Sequence, residues 1–423
     1  VSKINKKMIA VVAFGSGFEY YDFVIYALFI NIISKQFFSI GDSTHSLIWA
    51  VTVFATGYLA RPVGGIVFGL LGDKFGRKPT FFASMLLMSF ATLIMGLAPG
   101  FQTAGIAGTI IFAGARFLQG LSYGAEMPGA MVYVAESSAK DKHSSSCALM
   151  LTGACLGVTL ATLVYWLSIT FISTQDLADW GWRIPFLFGF ALAIVALVFR
   201  KKMLETKAFR ENKNQRQSLR AVFGALDIKK PLFAVLLLLF PASYVLLNTL
   251  FLPVYVLHTE TNITSASVAM AMFVGNLWCA LLLPRAGAII DQYDRIKFFG
   301  VLLVIVLAVN PILFWILHQQ TLAGLYVFVI VNQTILAFIA PTYMVFIPEL
   351  FAVSVRLTAV GLVYNTAYCL ASFVPMILFW LDRQRSSMFD GGMIFFELLA
   401  LLSLVVSYRL EKSMINKNCS VSD

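Results

Sequence analysis

Residues 15–26 read Gly15-Ser16-Gly17-Phe18-Glu19-Tyr20-Tyr21-Asp22-Phe23-Val24-Ile25-Tyr26 and set two carboxylates inside a run otherwise apolar enough to span a membrane. A charge near the centre of a bilayer costs at least ~2.5–3.5 kcal/mol on insertion scales, so such a side chain usually faces a partner or a watery cavity and serves a function. Glu19 and Asp22 lie on neighbouring positions of one helix face. The chain around them has 423 residues, of which 59% are hydrophobic and 12% charged. A soluble domain would carry about 25% charged residues. Long apolar runs, without the alternation of barrel strands, make the expected fold an all-α integral membrane protein.

Twelve spans are expected, at 8–33, 46–71, 80–98, 103–134, 145–172, 183–200, 231–257, 264–290, 298–317, 321–347, 355–381 and 389–408. The longest polar stretch, from Arg200 to Lys230, is rich in Lys and Arg and divides the chain. The expected organisation is an N-terminal six-helix bundle over 1–200, a cytoplasmic central loop over 201–230, a C-terminal six-helix bundle over 231–408 and a short cytoplasmic tail over 409–423. Basic residues gather on one side, at Lys6 and Lys7, Lys74, Arg77 and Lys78, Lys140 and Lys142, the central loop, Arg295 and Lys297, and Arg409. That asymmetry puts both termini in the cytoplasm. It also accounts for the net charge of +10 without a nucleic-acid partner. The first span lacks a small-residue cleavage site and reads as retained.

An internal repeat fits the two halves. Gly72-Asp73-Lys74-Phe75-Gly76-Arg77-Lys78 after the second span corresponds to Ile290-Asp291-Gln292-Tyr293-Asp294-Arg295 after the eighth, and Glu136 after the fourth corresponds to Glu349 after the tenth. Parallel repeats about an axis normal to the membrane produce such a pattern.

The motifs Gly72-Asp73-x-x-Gly76-Arg77-Lys78 and Arg116-x-x-Gln119-Gly120 resemble signatures of the major facilitator superfamily. Further matches narrow the resemblance to its metabolite:proton symporter family, which includes proline/betaine, α-ketoglutarate, citrate and shikimate carriers. They are Glu19-Tyr20-Tyr21-Asp22-Phe23, Arg61-Pro62-x-Gly64, Trp182-Arg183-Ile184-Pro185-Phe186, and Pro348-Glu349-x-Phe351 with Arg356, Thr358, Gly361, Tyr364 and Asn365. The resemblance covers nearly the whole chain. It implies a gate latch in which Asp73 and Arg77 tie the halves together, with Glu136, Asp291, Arg295, Glu349 and Arg356 as further gating residues.

On the fourth span, Arg116, Gln119, Tyr123 and Glu126 form one polar stripe. Arg61, Arg116 and the pair Glu19/Asp22 sit at similar depth, given a rise of ~1.5 Å per residue. The two arginines are therefore expected to meet the two carboxylates near the midplane. The proton-coupling candidates are Glu19, Asp22, Arg116 and Glu126, because a carboxylate whose arginine contact changes between conformations loads and releases a proton. Arg61 or Arg116 is the candidate anchor for a substrate carboxylate. Tyr20, Tyr26, Tyr123, Tyr364 and Tyr368 offer π faces for a substituted ammonium. Gln119, Asn248, Trp278 and Asn365 complete the expected substrate contacts.

The four histidines and five cysteines lack metal-ligand spacing, and the cysteines read as free thiols. No Walker-type loop and no nucleophile with a positioned base occurs, so the chain is not expected to be an enzyme or to use a cofactor or metal. The expected function is proton-coupled import of a small polar metabolite by a monomer in the cell membrane, the bacterial inner membrane, with protons, substrate and lipid as its partners. Three alternatives accompany it. One is a proton-coupled exporter, though Gly153-Ala154-Cys155-Leu156-Gly157-Val158 lacks the proline of the family antiporters. The others are a carrier of a polycarboxylate siderophore and a non-transporting sensor. The tail after Arg409 has no heptad run, so an osmosensing coiled coil is not expected.

Overall fold

A computed structural model describes residues 6–38, 43–201, 205–211, 229–252, 263–374, 376–378 and 388–419. Most of the central loop and the ends of the seventh and eleventh expected spans lie outside the described residues. So do residues 420–423 of the expected tail.

The long helices are α1 (Lys6–Leu28), α2 (Ser43–Phe75), α3 (Arg77–Leu97), α4 (Ile106–Ser137), α5 (His143–Phe171), α6 (Arg183–Arg200), α7 (Lys229–Leu246), α8 (Ser265–Ile290), α9 (Arg295–His318), α10 (Leu322–Glu349), α11 (Arg356–Ala371) and α12 (Met388–Cys419). There is no strand among the described residues. Ten of the helices are long and apolar enough to cross a membrane. The other two, α1 and α4, are 23 and 32 residues long and carry the polar positions singled out above. Side chains set several starts. Thr264, Asp294 and Thr321 accept hydrogen bonds from the first amides of α8, α9 and α10, satisfying donors that a helix leaves unpaired. Prolines lie inside α2, α4, α7, α8, α9 and α10.

Three boundaries differ from expectation. The first span breaks after Leu28 and continues as a short helix, Ile30–Phe37. The fourth is interrupted at Gly105, whose φ of +57° ends the short helix Phe101–Ala104 before α4 begins. The last helix runs to Cys419, past Arg409, where the short cytoplasmic tail was expected to begin.

Within residues 6–201, α1 packs on α5 and α6, and α4 packs on α2 and α3. Within 229–419, α10 packs on α8 and α9, and α12 on α7 and α9. Two seams join these groups, α5 against α8 and α2 against α11. A shift of six helices converts one seam into the other, which is the repeat seen in the sequence.

Small residues set the closeness of α1 and α5. A Cβ on Gly157 would overlap the Gly17 carbonyl, and one on Gly17 would overlap the Gly153 carbonyl. Gly157→Val is therefore expected to lower the melting temperature in detergent, since overpacking costs ~1–3 kcal/mol. Gly114→Ala, whose Cβ meets nothing within 4 Å, should melt like the parent. Equal melting of the two variants would refute the contact.

Candidate functional site

Of the two carboxylates of α1, Glu19 has a cationic partner, and it is neither expected arginine. Arg200, the last residue of α6, turns back into the helices, donating from Nη2 to Glu19 Oε1 at 2.7 Å and from Nη1 to Glu126 Oε2 at 2.6 Å. All three side chains are buried. Ser84 Oγ donates to the other Glu126 oxygen, and the Phe81 ring lies 4.7 Å from the Arg200 guanidinium. A Cβ at Gly15 would collide with that guanidinium, so the glycine that opens the quoted stretch makes room for the cation.

The expected meeting of Arg61 and Arg116 with Glu19 and Asp22 does not form. Arg61 is stacked among Tyr58, Tyr123 and Phe23 at 3.9, 4.0 and 4.1 Å, with Tyr368 at 5.8 Å. Arg116 lies 4.0 Å from Phe23 and 4.6 Å from Tyr26 and Phe54. Among the described residues, no carboxylate forms an ion pair with either arginine. Ring quadrupoles supply attraction in its place. Phe23, one helical turn beyond Glu19, fills the space where the charges were expected to converge. Arg116 reaches Asp22 only through a relay. Its Nη1 donates to Gln119 Oε1 at 2.6 Å, Gln119 Nε2 donates to Thr92 Oγ1 at 3.1 Å, and Thr92 Oγ1 donates to Asp22 Oδ2 at 3.0 Å. Asp22 Oδ1 has no hydrogen-bond partner among the described residues and rests against Gly189.

A small cavity of about 80 Å³ lies between the two helix groups, below the ~300–1,000 Å³ of a typical small-ligand site. Tyr20, Cys155 and Val158 line one side, and Asn248, Asn276, Gln333, Tyr343 and Tyr368 line the other. Gln333 Nε2 donates to Asn276 Oδ1 at 3.0 Å, which fixes an amide pair at the wall. Of the expected substrate contacts, Tyr20, Asn248 and Tyr368 reach this cavity. Tyr123 and Tyr364 stand behind them, with ring centroids 5.5 Å from Tyr20 and 4.5 Å from Tyr368 respectively.

The rest lie elsewhere. Trp278 is 43% exposed on the outer face of α8 and bonds Thr334. Tyr26 is buried under Arg116 and donates to the Ala50 carbonyl, and Gln119 belongs to the relay. Asn365 donates at 2.7 Å to the Gly124 carbonyl across the α4/α11 contact. For these four the aromatic or amide character that suggested a ligand contact is used in packing or in helix pairing.

The gating candidates come together at the end of the helices marked by the repeated turns. Asp73 accepts hydrogen bonds from the Thr358 amide at 2.9 Å, the Thr358 hydroxyl at 2.7 Å and the Leu357 amide at 3.4 Å, so a carboxylate of α2 sits at the N-terminus of α11. Asp291 does the same for α5, through the Ser144 and Ser145 amides at 2.8 and 3.0 Å. Arg77 pairs with Asp73 and Glu136, both at 3.1 Å. Arg356 lies 3.6 Å from Glu136, and Arg295 lies 3.8 Å from Glu349. Helix N-termini favour negative charge, and both seams are closed at this end by that one device used twice.

Sequence reading missed several participants. Arg200 is followed by Lys201 and Lys202, so it looked like the start of a basic loop. Glu205, beyond the sixth span, accepts from the Arg77 and Lys78 amides at 3.0 and 3.2 Å, and Thr206 Oγ1 donates to Glu136 at 2.8 Å. His143 contacts Glu349 at 3.2 Å. Asn276, Gln333 and Tyr343 were visible as polar residues in apolar helices, but nothing in their spacing pointed to one wall.

Comparison with known proteins gives this arrangement a family. The Major Facilitator Superfamily profile matches residues 12–375, and the chain belongs to that superfamily. It is a multi-pass membrane transporter and not an enzyme. An inner membrane metabolite transport protein of Escherichia coli (strain K12) is 29% identical over 404 residues, covering 91% of this chain and 89% of the relative. A putative proline/betaine transporter of Staphylococcus aureus (strain COL) is 29% identical over 401 residues, covering 90% and 83%. The proline/betaine transporter of Escherichia coli (strain K12) is 27% identical over 404 residues, covering 90% and 79%. These relatives agree with the resemblance to metabolite:proton symporters. Among solved structures, the proton:xylose symporter XylE bound to 6-bromo-6-deoxy-D-glucose superposes with a TM-score of 0.79 over 96% of each chain at 14% identity, a likeness of fold.

Proposed function

We propose that this transporter is a proton-coupled symporter importing a small polar metabolite, an organic acid or a zwitterion, by alternating access. In this reading it is a monomer in a bacterial inner membrane, with twelve spanning helices, two six-helix bundles over 1–200 and 231–408, and both termini in the cytoplasm. It needs no cofactor beyond the proton gradient. The observation that carries the reading is the pair of buried carboxylates, Glu19 and Glu126, on the single cation Arg200. Two carboxylates against one cation leave one negative charge over, and a proton is the smallest species that neutralises it. Tyr20, next to Glu19, lines the cavity, so a proton at Glu19 and a ligand at Tyr20 act through adjacent residues of one helix. Asp22 with its relay to Arg116 is the second proton candidate.

The same geometry bears on the substrate. Of the rings that would form an ammonium cage, Tyr123 and Tyr368 already face the Arg61 guanidinium and Tyr26 faces that of Arg116, so that cluster is better suited to attracting a carboxylate than a second cation. The amides of Asn248, Asn276 and Gln333 offer hydrogen bonds to the remainder of the ligand. The names of the relatives, proline and betaine carriers, also point to molecules bearing a carboxylate.

A thermal-shift panel of proline, betaine, citrate, α-ketoglutarate and shikimate identifies the ligand, because stabilisation grows with ligand concentration over dissociation constant. With that ligand, Glu19→Gln or Asp22→Asn in proteoliposomes is expected to abolish gradient-driven uptake and to leave exchange in place. Full proton-driven uptake by both variants would overturn the coupling assignment.

A further inference from the structure

Cys155 of α5 and Cys279 of α8 face each other across the seam between the two helix groups, with their sulfurs 3.6 Å apart. Both line the central cavity. Each thiol is fixed to its own group. On the α5 side, the neighbouring Gly153 and Gly157 are locked against the α1 backbone. On the α8 side, Asn276 is bonded to Gln333 of α10. The separation of the two sulfurs therefore follows the separation of the groups. The α5/α8 seam continues from the thiols toward the latch, where Gly287 packs against Ser144 and Ala148 and Asp291 bonds the amides of Ser144 and Ser145. A separation of α5 from α8 at the latch would part the sulfurs.

We propose that Cys155 and Cys279 form an oxidisable dithiol, and that a small peroxide entering the cavity converts it to a disulfide that ties the two helix groups together with the latch closed. The Cys155 sulfur attacks one peroxide oxygen and its thiol proton passes to the other. The O–O bond breaks, the sulfur becomes a sulfenic acid, and the second oxygen leaves with the Cys155 proton as water. The Cys279 sulfur then attacks the sulfenic sulfur, the S–O bond breaks, and hydroxide departs with the Cys279 proton as a second water. Two thiols and one hydrogen peroxide give one disulfide and two waters. Closing the gap to a sulfur–sulfur bond of ~2 Å needs only a small approach of side chains already in contact. Cys147 is buried away from the cavity and Cys369 is on α11, so neither competes for the partner.

The test uses the full chain in detergent or nanodiscs treated with hydrogen peroxide, and it needs no transport substrate. Peptide mass spectrometry is expected to find a 155–279 disulfide that dithiothreitol reverses. Amide exchange at Ser144, Ser145, Leu357 and Thr358 is expected to slow several-fold in the oxidised protein, and to stay unchanged in identically treated Cys155→Ala and Cys279→Ala variants. The absence of the linked peptide would overturn the proposal. So would a linked protein whose latch amides exchange as in the reduced form, or equal slowing in the alanine variants.

Discussion

Arg200→Gln is expected to destabilise the protein by about 3–5 kcal/mol, the cost of breaking a buried ion pair by removing one partner. The guanidinium holds two carboxylates at once, at 2.7 and 2.6 Å. Without it, Glu19 and Glu126 remain buried with no cation between them. A melt in detergent measures the loss. Adding Glu126→Gln to Arg200→Gln should recover part of it, because one of the two stranded charges is neutralised, and with the Glu126→Gln single variant the double-mutant cycle reports the coupling. Arg200→Lys should fall between, since an ammonium lacks the fork that reaches both carboxylates. An Arg200→Gln variant that melts like the parent would remove the triad from the account of both stability and coupling.

The second large effect lies at the latch. Asp73→Ala removes the acceptor of three hydrogen bonds from the start of α11 and the partner of Arg77. Hydrogen bonds to a charged group contribute ~1.5–3 kcal/mol each, and each 1.4 kcal/mol is about tenfold in an equilibrium. The population with the latch open should therefore rise by roughly tenfold or more, a shift that exchange at the Leu357 and Thr358 amides reads directly. Asp291→Ala should produce the matching rise at Ser144 and Ser145, because the two carboxylates occupy equivalent places in the repeat. If Leu357 and Thr358 exchange no faster in Asp73→Ala, the carboxylate is not what holds the seam closed.

Much of this organisation is legible in the chain itself. The long helices follow from apolar runs, which in lipid leave the backbone no partner but itself. The paired turns at Asp73/Arg77 and Asp291/Arg295 announced a repeat, and the structure adds that each aspartate sits at the start of a helix from the other group. The polar stripe of Arg116, Gln119, Tyr123 and Glu126 was visible because helical periodicity puts those residues on one face. It was not visible that the stripe divides, with Arg116 and Gln119 leading to Thr92 and Asp22 while Glu126 turns to Arg200. Depth along a helix is read from residue count, but the direction of a side chain around the axis depends on the neighbours it meets.

The opening stretch shows where the division falls. Composition and spacing determined that Glu19 and Asp22 lie on one face of a largely apolar helix and that buried carboxylates need compensation, because those conclusions rest on local periodicity and on the cost of burying charge. Which cation compensates Glu19 was decided only by tertiary structure. Arg200 is 181 residues away in the chain, and Gly15 leaves the space its guanidinium occupies. Arg61 and Arg116, at the expected depth, are held by aromatic rings that no linear pattern brings together. Partners so far apart in sequence are chosen by how the helices pack around one another.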